Sequence, residues 1–329
     1  MEIMGLKALV TGGTGFVGSN IIKELVERKW EVYALVRKNS SLGYKRLNVI
    51  KNIKFIYAEE LFKNNCENLN ELDLRNSKFN STMPQFDVCF HLAAYGVDYR
   101  EQNINKIIDG NIKFTMDVLK FCKINKTKKV IITGSCFEYG VNESKRLNEE
   151  NKLNPQSYYS IAKVACENMA SLYAKTNNIK LITIRPFGSF GEGEGVHRFV
   201  PQLMKSVILN ENMNMTAGEQ VRDYLYIKDL VEAYITLSVK DVPLYEAYNV
   251  CSGVEIKIKD LAIEVAKITN NSLKLFNFGA VPYRKNEVMH FVGDNSKIKK
   301  YTDWTPKYTL EEGLTRTYEW YKENSEEIL

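Results

Sequence analysis

A phenol and an ammonium stand four residues apart in Tyr159-Ser160-Ile161-Ala162-Lys163. On a helix that spacing puts both on one face. A tyrosine of ordinary pKa, about 10, exchanges protons poorly at neutral pH, and a nearby ammonium favours its phenolate form. Such a pair can pass a proton to or from an alcohol or sugar oxygen. The spacing is common by chance, so it needs a third group. Ser135 supplies one, in Thr133-Gly134-Ser135-Cys136, directly after the β-branched run Val130–Thr133. A hydroxyl there sits at the carboxyl edge of a sheet, where open α/β folds bind ligands, and can bond the same substrate oxygen. Ser135, Tyr159 and Lys163 are the candidate catalytic residues.

A second constellation opens the chain. Thr11-Gly12-Gly13-Thr14-Gly15-Phe16-Val17-Gly18 places Gly12, Gly15 and Gly18 in a G-x-x-G-x-x-G pattern after an apolar strand and before a helix. Gly12 permits the tight turn, Gly15 lets the backbone approach a pyrophosphate, and Gly18 lets helix and strand pack closely, with the helix N-terminus facing the anion. Thr14, Phe16 and Val17 complete this candidate dinucleotide turn. An acid at the end of the second strand would select NAD, and an arginine NADP. The chain reads Val36-Arg37-Lys38-Asn39-Ser40 there, two cations and no acid. Arg37, assisted by Lys38 or Ser40, suits a 2′-phosphate, so NADP(H) is expected over NAD(H).

The elements that must position these groups follow from periodicity. Lys7–Thr11, Glu31–Val36, Ile53–Tyr57, Phe86–Leu92, Val130–Thr133 and Leu181–Ile184 read as strands. Helices are expected over Gly15–Arg28, Asn111–Ile124 and Ser157–Thr176. This alternation predicts an α/β fold with a doubly wound parallel sheet. After a loop with four glycines, Gly188–Gly195, the second half predicts helices over Phe199–Leu209, Ile227–Leu237, Ile258–Ile268 and Leu310–Glu323, with short strands at Ala247–Val250 and Leu273–Phe278. It reads as a smaller α+β lobe. The expected division is 1–184 for the dinucleotide domain and 185–329 mainly for the substrate lobe, with some segments returning to the first core.

Composition narrows the function. A net charge of +5 without a basic block argues against nucleic acid as a partner. Three histidines, and six cysteines with no C-x-x-C pair, argue against a metal site and for a reduced, cytoplasmic protein. Met1–Leu6 runs straight into a strand with no secretory pattern, and no apolar run is long enough for a membrane span.

With these residues in view, the chain resembles an extended short-chain dehydrogenase/reductase of the nucleotide-sugar epimerase/dehydratase/reductase group. The likeness rests on the glycine turn, Asp73-Leu74, His91-Leu92-Ala93-Ala94, Asn111, the Ser135 segment ending in Tyr139-Gly140, Tyr159 to Lys163, Arg185-Pro186-Phe187, Arg222-Asp223-Tyr224-Leu225-Tyr226-Ile227 and Asp303-Trp304-Thr305-Pro306. The resemblance implies a Rossmann domain and a homodimer formed through the helices Asn111–Ile124 and Ser157–Thr176. It implies that Asp73 and Leu74 flank the adenine and that Leu92, Ala93 and Ala94 line the cofactor. Asn111 belongs to the same cofactor set. Tyr159 and Lys163 would bond the nicotinamide ribose, and Pro186 would lie near the nicotinamide. Phe199, Val200, Arg222 and Arg284 would meet the nucleotide-sugar, with the arginines on its phosphates.

Departures from the family pattern carry information. The 4,6-dehydratases of the group place an Asp-Glu pair after the catalytic hydroxyl residue, where this chain has Cys136 and Phe137. Epimerases return the hydride to the same substrate and look NAD-type, with an acid after the second strand, whereas a reductase consumes NADPH. Arg37, and Gly188 where many epimerases carry Asn, tilt the expectation toward NADPH-dependent reduction of the C4 keto group of a CDP- or dTDP-linked 4-keto-6-deoxy sugar. The alternative is an NAD-dependent nucleotide-sugar 4-epimerase. Redox-sensing binding modules of this fold tend to lose the Tyr–Lys pair, which this chain keeps.

Overall fold

The computed structural model of the chain describes residues 5–38, 46–62, 83–98, 100–285 and 287–325. Two compact units divide it. The first comprises Met1–Gly140, Leu153–Arg185 and Tyr234–Tyr248, and the second Val141–Lys152, Pro186–Ala233 and Asn249–Leu329.

The first unit is built on a seven-stranded sheet. Its strands are β1 (Lys7–Thr11), β2 (Glu31–Val36), β3 (Ile53–Tyr57), β4 (Val88–His91), β5 (Lys129–Thr133), β6 (Lys180–Pro186) and β7 (Ala247–Val250), in the order β7-β6-β5-β4-β1-β2-β3. The pairs from β1 to β6 are parallel, with Ala8 opposite Val88 and Thr11 opposite His91 at the centre. Central parallel strands are covered on both faces, which is why β4 is buried at every position and reads as a continuous apolar run. This is the doubly wound Rossmann order, and it reverses between β1 and β4, where such sheets bind ligands. The strand Ala247–Val250, expected in the lobe, instead extends the main sheet; Thr183 N–H donates to the Glu246 carbonyl at 3.0 Å.

The longer helices of the first unit among the described residues include α1 (Phe16–Glu27), α2 (Phe114–Asn125) and α3 (Tyr158–Thr176). Helical structure leading into α2 begins earlier than Asn111, at Ile104, capped by the Asn103 side chain, and passes through a π-helical stretch, Ile108–Lys113. Ile104, Ile107, Ile108 and Ile112 already carry the i, i+3, i+4 spacing of a helix, so the lead-in is legible in the sequence although the expected helix starts at Asn111. Helix α3 starts at a reciprocal cap between Ser157 and Ser160. That cap puts Tyr159 in the first turn and Lys163 one turn later.

In the second unit, Gly188–Phe190 is a short strand rather than loop, paired in parallel with Tyr224–Tyr226. A Cβ at Gly188 would lie 2.6 Å from the Asp223 carbonyl oxygen, so this pairing requires glycine. Val221–Arg222 lies between Ile256–Lys257 and His290–Phe291. Leu273–Leu275 is 3₁₀ helix, and only Phe276–Asn277 is strand. Helices Phe199–Leu209, Ile258–Ile268 and Leu310–Glu323 also belong to this unit, as does the helix Ile227–Val239 as far as Ala233. The buried Asp223 carboxylate organises this unit. It accepts from the Ser252 N–H and hydroxyl at 2.8 and 2.7 Å, from Gly253 N–H at 2.9 Å and from Gly293 N–H at 3.3 Å.

Candidate active site

The glycine-rich turn joins β1 to α1. Gly12 has φ +68°, and a Cβ there would come within 2.6 Å of the Ala93 amide nitrogen. The turn therefore touches the Leu92-Ala93 backbone directly, and only glycine fits. A Cβ on Gly18 would meet the Gly12 carbonyl oxygen at 2.2 Å. Gly15 stands at the N-cap of α1 and offers no side chain to the first backbone N–H groups of the helix. This cradle fits a pyrophosphate bound at a helix N-terminus.

His91, the last residue of β4, ties the turn to the helices. Its Nδ1 pairs with the Thr11 hydroxyl at 2.7 Å and its Nε2 with the Thr115 hydroxyl at 2.8 Å. Thr11 also accepts from Ala93 N–H at 3.2 Å, and Cys166 donates to Thr115. Asn111 lies beneath this segment at 1% exposure, its amide donating to the Tyr95 and Ile107 carbonyls. Burial, aided by the Lys163 charge, lowers the His91 pKa from 6.5 to about 3. The unfolded chain therefore binds this proton first, and folding stability falls by about 1.4 kcal/mol per pH unit from 6.5 toward 3. Urea unfolding at pH 7.5 and 5.5 is expected to show this slope, reduced in His91→Gln. An equal slope in both proteins would remove His91 from the explanation.

Ser135, Tyr159 and Lys163 meet in the first unit. Ser135 caps the short 3₁₀ turn Cys136–Glu138, and its hydroxyl accepts from Phe137 N–H at 3.2 Å. The same hydroxyl interacts with the Tyr159 phenol and favours the ionised form, yet burial outweighs it and pushes the phenol above its ordinary range. The buried Lys163 holds its ammonium 6.0 Å from the Tyr159 ring centre. The expected lowering of the phenol pKa is thus not what this arrangement gives. The tyrosine starts protonated, which suits a proton donor.

A buried charge cluster lies behind this pair. Glu138, fully buried, accepts from Ser135 N–H at 2.7 Å and from Arg185 Nε at 3.0 Å. Arg185 also donates to Glu167 at 2.8 and 3.1 Å and to the Tyr139 hydroxyl at 3.1 Å. Burial and repulsion from Glu167 push the Glu138 carboxyl up to about 8.

At the end of β2, Arg37 is exposed. Lys38 is engaged by acids from beyond β3: its ammonium pairs with Glu60 at 2.8 Å, and its backbone N–H donates to Glu59. The acid that local sequence lacks is therefore brought in by the fold. Arg46, also missed by motif reading, donates to the Thr14 carbonyl at 3.0 Å. Asp73, Leu74 and Ser40 lie outside the described residues.

The lobe residues sit in the second unit. Phe199 begins a helix and is half-buried, whereas Val200 is 1% exposed in the core. Arg222 donates to Glu287 at 2.6 Å and to its neighbour's carbonyl at 2.9 Å. Arg284 is exposed, and Pro186 ends β6. Among the described residues, no cluster of His, Cys, Asp and Glu is placed to hold a metal, and no helix is long and apolar enough to cross a membrane.

Residues 8–251 match the family model described as the NAD dependent epimerase/dehydratase family. The chain belongs to this family. It is 25% identical to CDP-abequose synthase of Salmonella typhimurium, across 93% of this chain and 95% of that protein. It is also 25% identical to dTDP-D-glucose 4,6-dehydratase of Dictyostelium discoideum, across 97% and 82%. Among solved structures, UDP-glucose 4-epimerase of Thermotoga maritima with UDP-glucose superposes with a TM-score of 0.84 at 25% identity, covering 97% of this chain and 100% of that one.

For this epimerase/dehydratase chain, the expected fold class and family are those observed. Motif reading overlooked Glu138, Arg46 and Glu59. Glu138 carried one readable signal: a carboxylate three residues past a strand-end serine has the spacing of a reciprocal cap. Arg46 and Glu59 reach their partners from 32 and 21 residues away, beyond any local spacing.

Proposed function

We propose that this chain reduces the C4 keto group of a nucleotide-linked 4-keto-6-deoxy sugar, CDP- or dTDP-linked, with NADPH. The observation that carries the reading is the meeting of Tyr159, Ser135 and Lys163, the ammonium 6.0 Å from the phenol ring, with Ser135 followed in the chain by Cys136 and Phe137 rather than by two acids. The first unit serves as the dinucleotide domain and the second mainly as the nucleotide-sugar lobe. When bound, the nicotinamide cofactor supplies the hydride. Ser135 holds the carbonyl oxygen, Tyr159 donates a proton to it, and Lys163 orients the ribose and stabilises the phenolate left behind. The N-terminus of α1 takes the pyrophosphate, lined by Leu92, Ala93 and Ala94. Arg37 takes the 2′-phosphate, and Arg46 adds a second cation beside the turn. Arg222, preset by Glu287, and Arg284 take the sugar-side phosphates. The likeness to CDP-abequose synthase supports a CDP-sugar route.

Glu59 at the end of β2 favours a second reading, an NAD-dependent 4-epimerase. Two measurements decide between them. NADPH is expected to bind more tightly than NADH in fluorescence titrations, and to be oxidised stoichiometrically by CDP- or dTDP-4-keto-6-deoxyglucose. Tighter NADH binding, with interconversion of 4-epimers and no net oxidation, would establish the epimerase instead.

The active form is a homodimer. Tyr158, Ile161, Met169 and Leu172 expose apolar surface along α3, with Leu172 65% exposed, and Ile124 does so on α2. Light scattering is expected to give twice the chain mass and Leu172→Glu to give the monomer; a monomeric native chain would dismiss the dimer. The described cysteines are buried and in no disulfide, in keeping with a reducing cytoplasm.

A further inference from the structure

Ser135 is not held by its own strand alone. Its backbone N–H is taken by Glu138 Oε1 at 2.7 Å, while its hydroxyl receives the Phe137 N–H. The two bonds fix the residue at both ends of its short side chain. Glu138 in turn has no freedom. Its second oxygen accepts from Arg185, whose guanidinium is also gripped by Glu167 and packed 5.1 Å over the Tyr139 ring. Gly134 makes room for this clamp: a Cβ there would lie 2.9 Å from Glu138 Oε1 and 3.1 Å from both Arg185 Cγ and Thr183 Cγ2.

A fully buried carboxylate is expensive unless it is bonded and paired, and replacing it by an apolar residue of similar size is often neutral or stabilising. Stability therefore gives no reason to keep this one. What Glu138 adds is orientation at one particular hydroxyl. We propose that Glu138 is a positioning residue, holding Ser135 against the Tyr159 phenol for proton transfer, with Arg185 and Glu167 anchoring it from behind. This rests on the reductase reading only in the choice of substrate, because either reaction of a 4-keto or 4-hydroxy sugar would pass its proton through Tyr159.

The charge environment agrees with the geometry. Glu138 is faced by Glu167 and Lys163 from α3 and by Arg185 from β6. Tyr159 is faced by Ser135, Cys136, Glu138, Tyr234 and Lys163. Burial and repulsion from Glu167, opposed by Arg185 and Lys163, raise the Glu138 carboxyl to about 8. Above that pH it adds a negative charge facing Tyr159, which makes the phenol a weaker acid.

The test compares Glu138→Ala, Glu138→Gln and Glu167→Gln in the full-length protein. NADPH-dependent reduction of CDP-4-keto-6-deoxyglucose and interconversion of UDP-glucose and UDP-galactose are both assayed. Glu138→Ala is expected to lower kcat about 100-fold with KM nearly unchanged, because a misplaced Ser135 fails only in the transition state. Glu138→Gln keeps an acceptor for Ser135 N–H and is expected to restore kcat to within about fivefold of wild type. Wild-type rate is expected to decline as pH rises through about 8; Glu138→Gln should abolish that decline, and Glu167→Gln should move it to a lower pH. Hydrogen exchange of the Ser135 amide, read by mass spectrometry, is expected to be slow in wild type and Glu138→Gln and fast in Glu138→Ala. Equal kcat and equal exchange in Glu138→Ala and Glu138→Gln would overturn the proposal. If Glu138→Ala does not fold, Gly134→Ala displaces the same oxygen with all charges kept, and wild-type kcat there would equally overturn it. If wild type turns over neither substrate, the proposed function has failed and the amide exchange alone decides the role of Glu138.

Discussion

Tyr159→Phe is expected to lower turnover by about 10²- to 10⁴-fold while NADPH binding weakens by less than about tenfold, the worth of one hydrogen bond to the nicotinamide ribose. The substitution keeps the half-buried ring, its packing near Lys163 and the start of α3, which is set by Ser157 and Ser160. It removes only the phenol that gives the proton. The loss is therefore expected to approach the full worth of a general acid. The decisive comparison is steady-state reduction beside a fluorescence titration of cofactor on the same preparation. Activity within tenfold of wild type would exclude Tyr159 as the donor and return attention to Ser135.

Gly18→Ala is expected to destabilise the fold by about 3 kcal/mol, the upper end of ordinary overpacking, and to weaken dinucleotide binding more than about 100-fold. The added methyl would fall 2.2 Å from the Gly12 carbonyl oxygen. Gly12 cannot retreat, since it already lies against the Ala93 amide in a left-handed conformation. The α1 N-terminus must therefore move away from the turn, and the anion site opens. Gly13→Ala is the control. Its methyl would meet the end of the Ile22 side chain at 2.6 Å, a group that can rotate, so a much smaller effect is expected. Urea unfolding and NADPH titration of both variants separate the two. Equal effects would mean that crowding, not displacement of the helix end, governs the site.

How much of this was readable beforehand depends on range. The strands β1 to β6 and the glycine turn are written in runs of four to eight residues, and a strand–turn–helix unit needs little else. Tyr159 and Lys163 share a face because the helix period says so. The rest required distant partners. Glu59 reaches the end of β2 only because β3 pairs beside it, and Arg222 finds Glu287 from 65 positions away. The strand Ala247–Val250 looked like part of the lobe because no local feature tells which sheet a four-residue apolar strand will join. The rise of the Tyr159 phenol was missed for a related reason. Sequence shows the ammonium four residues on, but not the desolvation that opposes it.

The last strand of the sheet, β7, has a consequence for synthesis. It completes the first unit from residues emerging some sixty positions after β6, and Tyr234 and Leu237 from the same late segment bond back to Thr133 and Lys129. A ribosome-bound chain shorter than about 250 residues would therefore present β6 as an open edge, the kind that pairs with other chains. The candidate catalytic residues are all made by residue 163, but the sheet that carries them cannot close until the chain has passed through Pro186–Ala233 of the second unit.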